Sequence, residues 1–136
     1  RYAMKVGWTL ERIQDLTGID PWFLEQFRQL VEFEDTLASY SRLEDVPADV
    51  LSQAKRMGYS DPQLACLYKG EVSTPAILSV RSHRQSLGIK PVFKLVDTCA
   101  AEFEALTPYY YSTYERPFLI EGQSVLDDEI RVSDQI

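Results

Sequence analysis

The chain has 136 residues, 45% of them apolar and 26% charged, and a net charge of −7. That length holds one domain with a modest hydrophobic core, and the balance of apolar to charged residues excludes wholesale disorder. No apolar run approaches the roughly 20 residues that span a bilayer, and the opening RYAMKVGW lacks signal-peptide anatomy, so a soluble intracellular protein is expected. A start at Arg1 is what a piece cut from a longer protein would have.

In chain order, Thr9 stands before LERIQDL as an N-cap and Gly18 stands where a C-terminal glycine belongs, which predicts a short helix over about 9–16. Asp20 and Pro21 then supply a cap and a first-turn proline. They open the longest periodic segment, in which Phe23, Phe27, Leu30, Val31, Glu34 and Leu37 recur at spacings of three and four. That stripe predicts one buried face, with Phe33 and Tyr40 beside it. Trp22, Phe23 and Phe27 are assigned to packing or to an interface.

Pro47 starts a further helix in which Val50, Leu51, Ala54 and Met57 share a face, and Gly58 ends it. Ser60 and Gln63 form a capping-box pattern around Asp61 and Pro62, predicting a helix over about 61–68. Thr74 and Pro75 repeat the cap-plus-proline device for a helix closed by Gly88. Past Gly88, IKPVFKLVD alternates apolar and polar residues around Pro91 and reads as extended. Asp97 or Thr98 can cap a short helix over CAAEFEAL that carries Phe103 inward, with Ala100 and Ala101 allowing close approach, and Pro108 ends it. The run containing Tyr109, Tyr110, Tyr111 and Tyr114 is then irregular or extended, and 116–136 is an acidic, loosely held tail or linker. The fold class expected is all-α, a compact bundle of short helices over 1–115 with an extended C-terminal segment.

Charge divides the chain into a net −4 over 1–46, +4 over 47–96 and −7 over 97–136. Nucleic-acid binding concentrates positive charge without acidic competition nearby, so segments that complement one another within a fold or across a subunit contact are the better reading. The three helices of 47–88 have a helix-turn-helix layout, with Arg81, His83, Arg84 and Lys90 at the third, and a DNA reader is kept as an alternative.

Chemical motifs are sparse. The six glycines sit at helix ends rather than in a phosphate-binding loop, and Cys66 and Cys99 with the single His83 lack zinc-ligand spacing, so partly buried reduced thiols are expected. His83 lies in VRSHRQS, which reads as a solvated polar face rather than a catalytic base. Pairs such as Glu102 and Glu104, or Asp127 and Asp128, resemble solvated acidic faces. No catalytic, cofactor-binding or metal-ligating residue is assigned.

The blocks GWTLERIQDLTGIDPWFLEQF, AKRMGYSDPQLACL and LGIKPVFKLVDTCAAEFEALTPYYYSTYE, in this order, resemble the helical oligomerisation domain in the large chain of carbamoyl-phosphate synthase, from about residue 3 to 115. DTCAAEF and YYYSTYE look more like the bacterial or plastid form, which implies a cytoplasmic or, in a plant, plastid location. The resemblance implies a non-catalytic scaffold between two ATP-grasp halves, in a homo-oligomer that also takes a small glutamine amidotransferase chain. The resembled enzyme uses ATP with magnesium or manganese, bicarbonate and glutamine. Its substrate residues belong to the ATP-grasp halves and none is carried onto this chain. Neither nucleic acid nor membrane is an expected partner, and a stand-alone helical adaptor is the other alternative. Within this picture Tyr109, Tyr110, Tyr111 and Tyr114 anchor an exit strand, since each offers a large ring and a hydroxyl for a polar boundary.

Overall fold

A computed structural model describes residues 1–96, 109–115, 118–120, 123–125 and 129–130. Among these described residues six α-helices run α1 Tyr2–Lys5, α2 Leu10–Thr17, α3 Pro21–Ala38, α4 Ala48–Arg56, α5 Asp61–Lys69 and α6 Thr74–Ser86, with a 3-10 turn at Leu43–Asp45. Five short strands follow: β1 Val92–Val96, β2 Tyr109–Thr113, β3 Phe118–Ile120, β4 Gln123–Val125 and β5 Glu129–Ile130. The architecture is mostly helical, as the spacing of caps and stripes predicts. The chain divides into two compact units, 1–80 and 81–136, and the division falls inside α6.

Helix ends are set by local chemistry. Thr9 Oγ1 accepts from the Arg12 N–H at 3.3 Å, and Asp20 Oδ1 accepts from the Trp22 N–H at 2.8 Å ahead of Pro21. Each satisfies a helix donor that has no intrahelical partner. At the start of α5 the capping box is complete: the Gln63 N–H donates to Ser60 Oγ at 3.2 Å, and the Ser60 N–H donates to Gln63 Oε1 at 2.7 Å. Gly18 closes α2 at φ 68°, a left-handed conformation that costs glycine little. Two boundaries differ from expectation. Pro47 caps α4 rather than opening it, and α6 is capped by Ser73, whose Oγ accepts from the Ala76 N–H at 3.3 Å, rather than by Thr74. The four-residue α1, too short to show a period, has no counterpart in the sequence reading.

The core of the first unit is built on Leu24, Leu37, Leu43, Leu51, Leu64 and Val80, all buried. Two tyrosine hydroxyls tie α3 to the α4–α5 hairpin: Tyr59 donates to the Leu30 carbonyl, and Tyr68 donates to the Leu37 carbonyl at 2.7 Å. The Phe33 and Tyr59 rings meet with centroids 6.0 Å apart. These contacts explain a correction. The predicted buried stripe of α3 holds at Leu37 and in part at Leu30, Val31 and Glu34, but Phe23 and Phe27 are exposed. They share the helix face, yet the hydrogen bonds and ring contact from Tyr59 and Tyr68 fall at Leu30, Phe33 and Leu37, and periodicity cannot tell how far along a helix its neighbour covers it.

In the second unit β1 lies between β2 and β5, antiparallel to both, and β3 pairs with β4. The tyrosine run is therefore a strand, with Tyr111 opposite Lys94 and Tyr109 opposite Val96. The end of α6 closes on itself through the buried Arg84, which donates to the Ile89 carbonyl at 3.0 Å and lies 5.6 Å from the centroid of the Tyr114 ring. Buried Lys94 donates to Glu115 at 2.8 Å.

Candidate functional site

Several carboxylates among the described residues are committed to ion pairs. Glu34 accepts from Arg1 at 2.6 and 2.9 Å and from Lys5 at 2.5 Å, and the Arg1 hydrogen bonds hold its carboxyl below the ordinary range. Glu25 and Glu32 flank Arg28 one turn either way, and the Arg28 guanidinium lowers Glu25 likewise. Asp45 is lowered by Arg42 at 2.8 Å. Shifts in this direction keep a carboxylate ionised, the opposite of what a proton donor near neutrality needs. Among the described residues no cluster of three or more His, Cys, Asp or Glu is placed to hold a metal ion, and no helix is long and apolar enough to cross a membrane.

The chemistry that stands out is apolar. Trp22 is 62% exposed, Phe23 55% and Phe27 50%, on the first two turns of α3. The Trp22 and Phe23 rings meet edge to face, with centroids 5.0 Å apart at 86°. Asp20 fixes this corner by capping the helix beneath it, and Leu16 and Ile19, both exposed, lead into it from α2. Phe27 also lines a groove of about 280 Å³, whose walls include Leu30, Val31, Met57 and Tyr59. Burial and nearby Glu34 push the Tyr59 hydroxyl pKa up.

Trp22, Phe23 and Phe27 thus form one surface. Tyr109, Tyr110 and Tyr111 are exposed together on β2, while Tyr114 is half-buried beside Arg84. Asp97, Thr98 and Phe103, and the short helix expected around them, lie outside the described residues. Three expectations change. Cys66 is exposed rather than partly buried. His83 is half-buried, with Nε2 enclosed and no hydrogen-bond partner for that atom among the described residues, so it is not a solvated imidazole. Arg84 is buried and bonded to a backbone carbonyl, which removes it from the exposed basic face that a DNA reader would use. Sequence reasoning missed Leu16, Ile19 and the Met57–Tyr59 wall. The signal available was LTGIDPWFL, nine residues with six large or apolar side chains around a helix break.

A helical unit with several carboxylates held in ion pairs, and an exposed aromatic corner beside a groove, has the surface of an interaction module. The chain belongs to the family of the carbamoyl-phosphate synthetase large chain, oligomerisation domain, whose model matches residues 1–88. It is 51% identical over 115 residues to the carbamoyl phosphate synthase large chain of Rhodopirellula baltica, an alignment covering 85% of this chain and 10% of that protein. To the large chain of Methanothermobacter thermautotrophicus it is 45% identical over 133 residues, 98% of this chain and 11% of that one. To the large chain, N-terminal section, of Aquifex aeolicus it is 44% identical over 128 residues, 93% of this chain and 21% of that one. The chain therefore spans about a tenth of the full large chains it matches.

Proposed function

We propose that this domain is a non-catalytic scaffold in the large chain of a glutamine-dependent carbamoyl-phosphate synthase, joining two ATP-grasp halves and supporting assembly. The whole enzyme would use ATP with magnesium or manganese, bicarbonate and glutamine-derived ammonia from a small amidotransferase chain, in arginine and pyrimidine synthesis in the cytoplasm. The observation that carries this reading is the family match along residues 1–88 in a chain about a tenth as long as its relatives. Ionised, paired carboxylates and the exposed aromatic corner fit it. In this reading exposed Tyr109, Tyr110 and Tyr111 meet a neighbouring half, and Tyr114 holds the exit strand to its own unit.

The purified 136-residue chain should hydrolyse no ATP with bicarbonate present, whereas the full-length protein should; turnover by the short chain would overturn the scaffold role. Changing Tyr110 and Tyr114 to alanine in the full-length protein separates joint from internal packing. Weakened assembly is expected, and unchanged assembly with lost thermal stability would assign both rings to internal packing.

A further inference from the structure

Strand β2 reads Tyr109-Tyr110-Tyr111-Ser112-Thr113, and little within it says which residue belongs opposite which residue of β1. In the observed register Lys94 stands opposite Tyr111, Leu95 opposite Tyr110 and Val96 opposite Tyr109. A slip by one residue would set Tyr110 against Lys94 and Tyr109 against Leu95, a tyrosine for a tyrosine each time. A slip by two would set Tyr109 against Lys94. Register is ordinarily fixed by burying one side of a strand or by a tight turn. Neither acts here. Residues Tyr109 to Ser112 are all exposed, whichever side of the sheet they lie on, so burial does not choose between alignments. Residues 97–108 lie between β1 and β2, whereas a turn that sets register takes about two to five.

Directional contacts begin just past the strand. Buried Lys94 donates to Glu115 at 2.8 Å, and buried Arg84 lies 5.6 Å from the centroid of the Tyr114 ring while donating to the Ile89 carbonyl at 3.0 Å. We infer that Arg84 and Lys94 are a register pin: by holding Tyr114 and Glu115 they select one alignment of β2 on β1, and so decide which tyrosines stand opposite Lys94 and Leu95. Each residue of slip carries positions 114 and 115 about 3.4 Å along the strand. A hydrogen bond of 2.8 Å does not survive that displacement. Arg84 is tied to the Ile89 carbonyl and does not follow the Tyr114 ring, and the enclosed Lys94 side chain has little room to swing after Glu115. Energetics points the same way. A buried ion pair is often no more stabilising than apolar side chains of its size, because desolvation offsets the attraction, and its best attested use is to enforce register. Separating such a pair while the ammonium stays buried costs more than forming it gains, so the pair weighs most in the difference between alignments.

Disulfide trapping in the full-length protein reads the register directly, with Cys66→Ser and Cys99→Ser in the background and linked peptides identified by mass spectrometry. Val92→Cys with Thr113→Cys reports the observed alignment. Val92→Cys with Ser112→Cys, or with Tyr111→Cys, reports slips of one and two residues. In otherwise wild-type protein only the first pair should link efficiently. Lys94→Met combined with Glu115→Gln should raise the slipped links about tenfold while leaving the melting temperature nearly unchanged. An ion pair that serves stability alone would do the reverse, lowering the melting temperature with no slipped links, and that result overturns the inference. Slipped links already abundant in the wild type overturn it as well. If Lys94→Met prevents folding, Tyr114→Leu with Glu115→Gln, which leaves both buried cations in place, should raise the slipped links instead. Should that folded variant link like the wild type, Arg84 and Lys94 do not set the register.

Discussion

The Lys55 ammonium lies 2.9 Å from the Asp61 carboxylate, with both side chains more than nine-tenths buried, and it also donates to the Tyr59 carbonyl at 2.6 Å. The pair therefore locks the turn from α4 to α5, the turn that supplies Met57 and Tyr59 to the groove. Removing one member leaves a buried charge without its counter-ion. Asp61→Ala should destabilise the domain by about 3–5 kcal/mol in urea unfolding, while Lys55→Met with Asp61→Leu should recover most of that loss.

Tyr68 gives an alkaline signature. Burial, with Tyr40 adding to it, pushes its hydroxyl pKa up to about 12 from an ordinary 10.0, and the same hydroxyl donates to the Leu37 carbonyl. With the folded value raised, the stability linked to Tyr68 is complete below pH 10 and is lost as pH rises through about 12. Tyr68→Phe should cost about 1 kcal/mol at neutral pH through the lost hydrogen bond. Its melting temperature should fall less steeply over the alkaline window than that of the wild type.

Glu34 acts in acid. Its carboxyl is lowered by the Arg1 hydrogen bonds, so its contribution is present above about pH 4.5 and is lost as pH falls through the depressed value. The attachment of α1 to α3 through Arg1 and Lys5 should loosen there, seen as faster amide exchange in residues 2–8. Glu34→Gln should show that faster exchange already at neutral pH, and little further change on acidification.

The capping box of α5 has a modest but separable effect. Ser60→Ala removes the acceptor for the Gln63 N–H and should lower stability by about 1 kcal/mol in thermal melts. Ser60→Asp should retain most of the wild-type value, since a carboxylate at that position accepts the same bond.

The caps were legible in the sequence because they are local: Thr9, Asp20 and Ser60 act on backbone groups two or three residues away. Exposure of Phe23 and Phe27 was not legible, since it depends on contacts from Tyr59 and Tyr68, which lie about 30 residues along the chain. The tyrosine run read only as irregular or extended from its local sequence. Its identity as a strand opposite 92–96 needs a pairing that no short window contains. Blocks such as LTGIDPWFL and GYSDPQLA pointed to the family, though not to which of their side chains stay in solvent. His83 misled because its neighbours are polar, while enclosure of Nε2 depends on packing.

Strand β2 has a hydrogen-bonded neighbour on one side only among the described residues, and it presents Tyr109, Tyr110 and Tyr111 to solvent with no lysine or proline within Tyr109–Thr113 to discourage intruders. An open edge of this kind is a template for pairing with any extended segment that meets it. Purified on its own, the 136-residue chain should be prone to clump into fibrous deposits, and Tyr110→Lys should keep it dispersed.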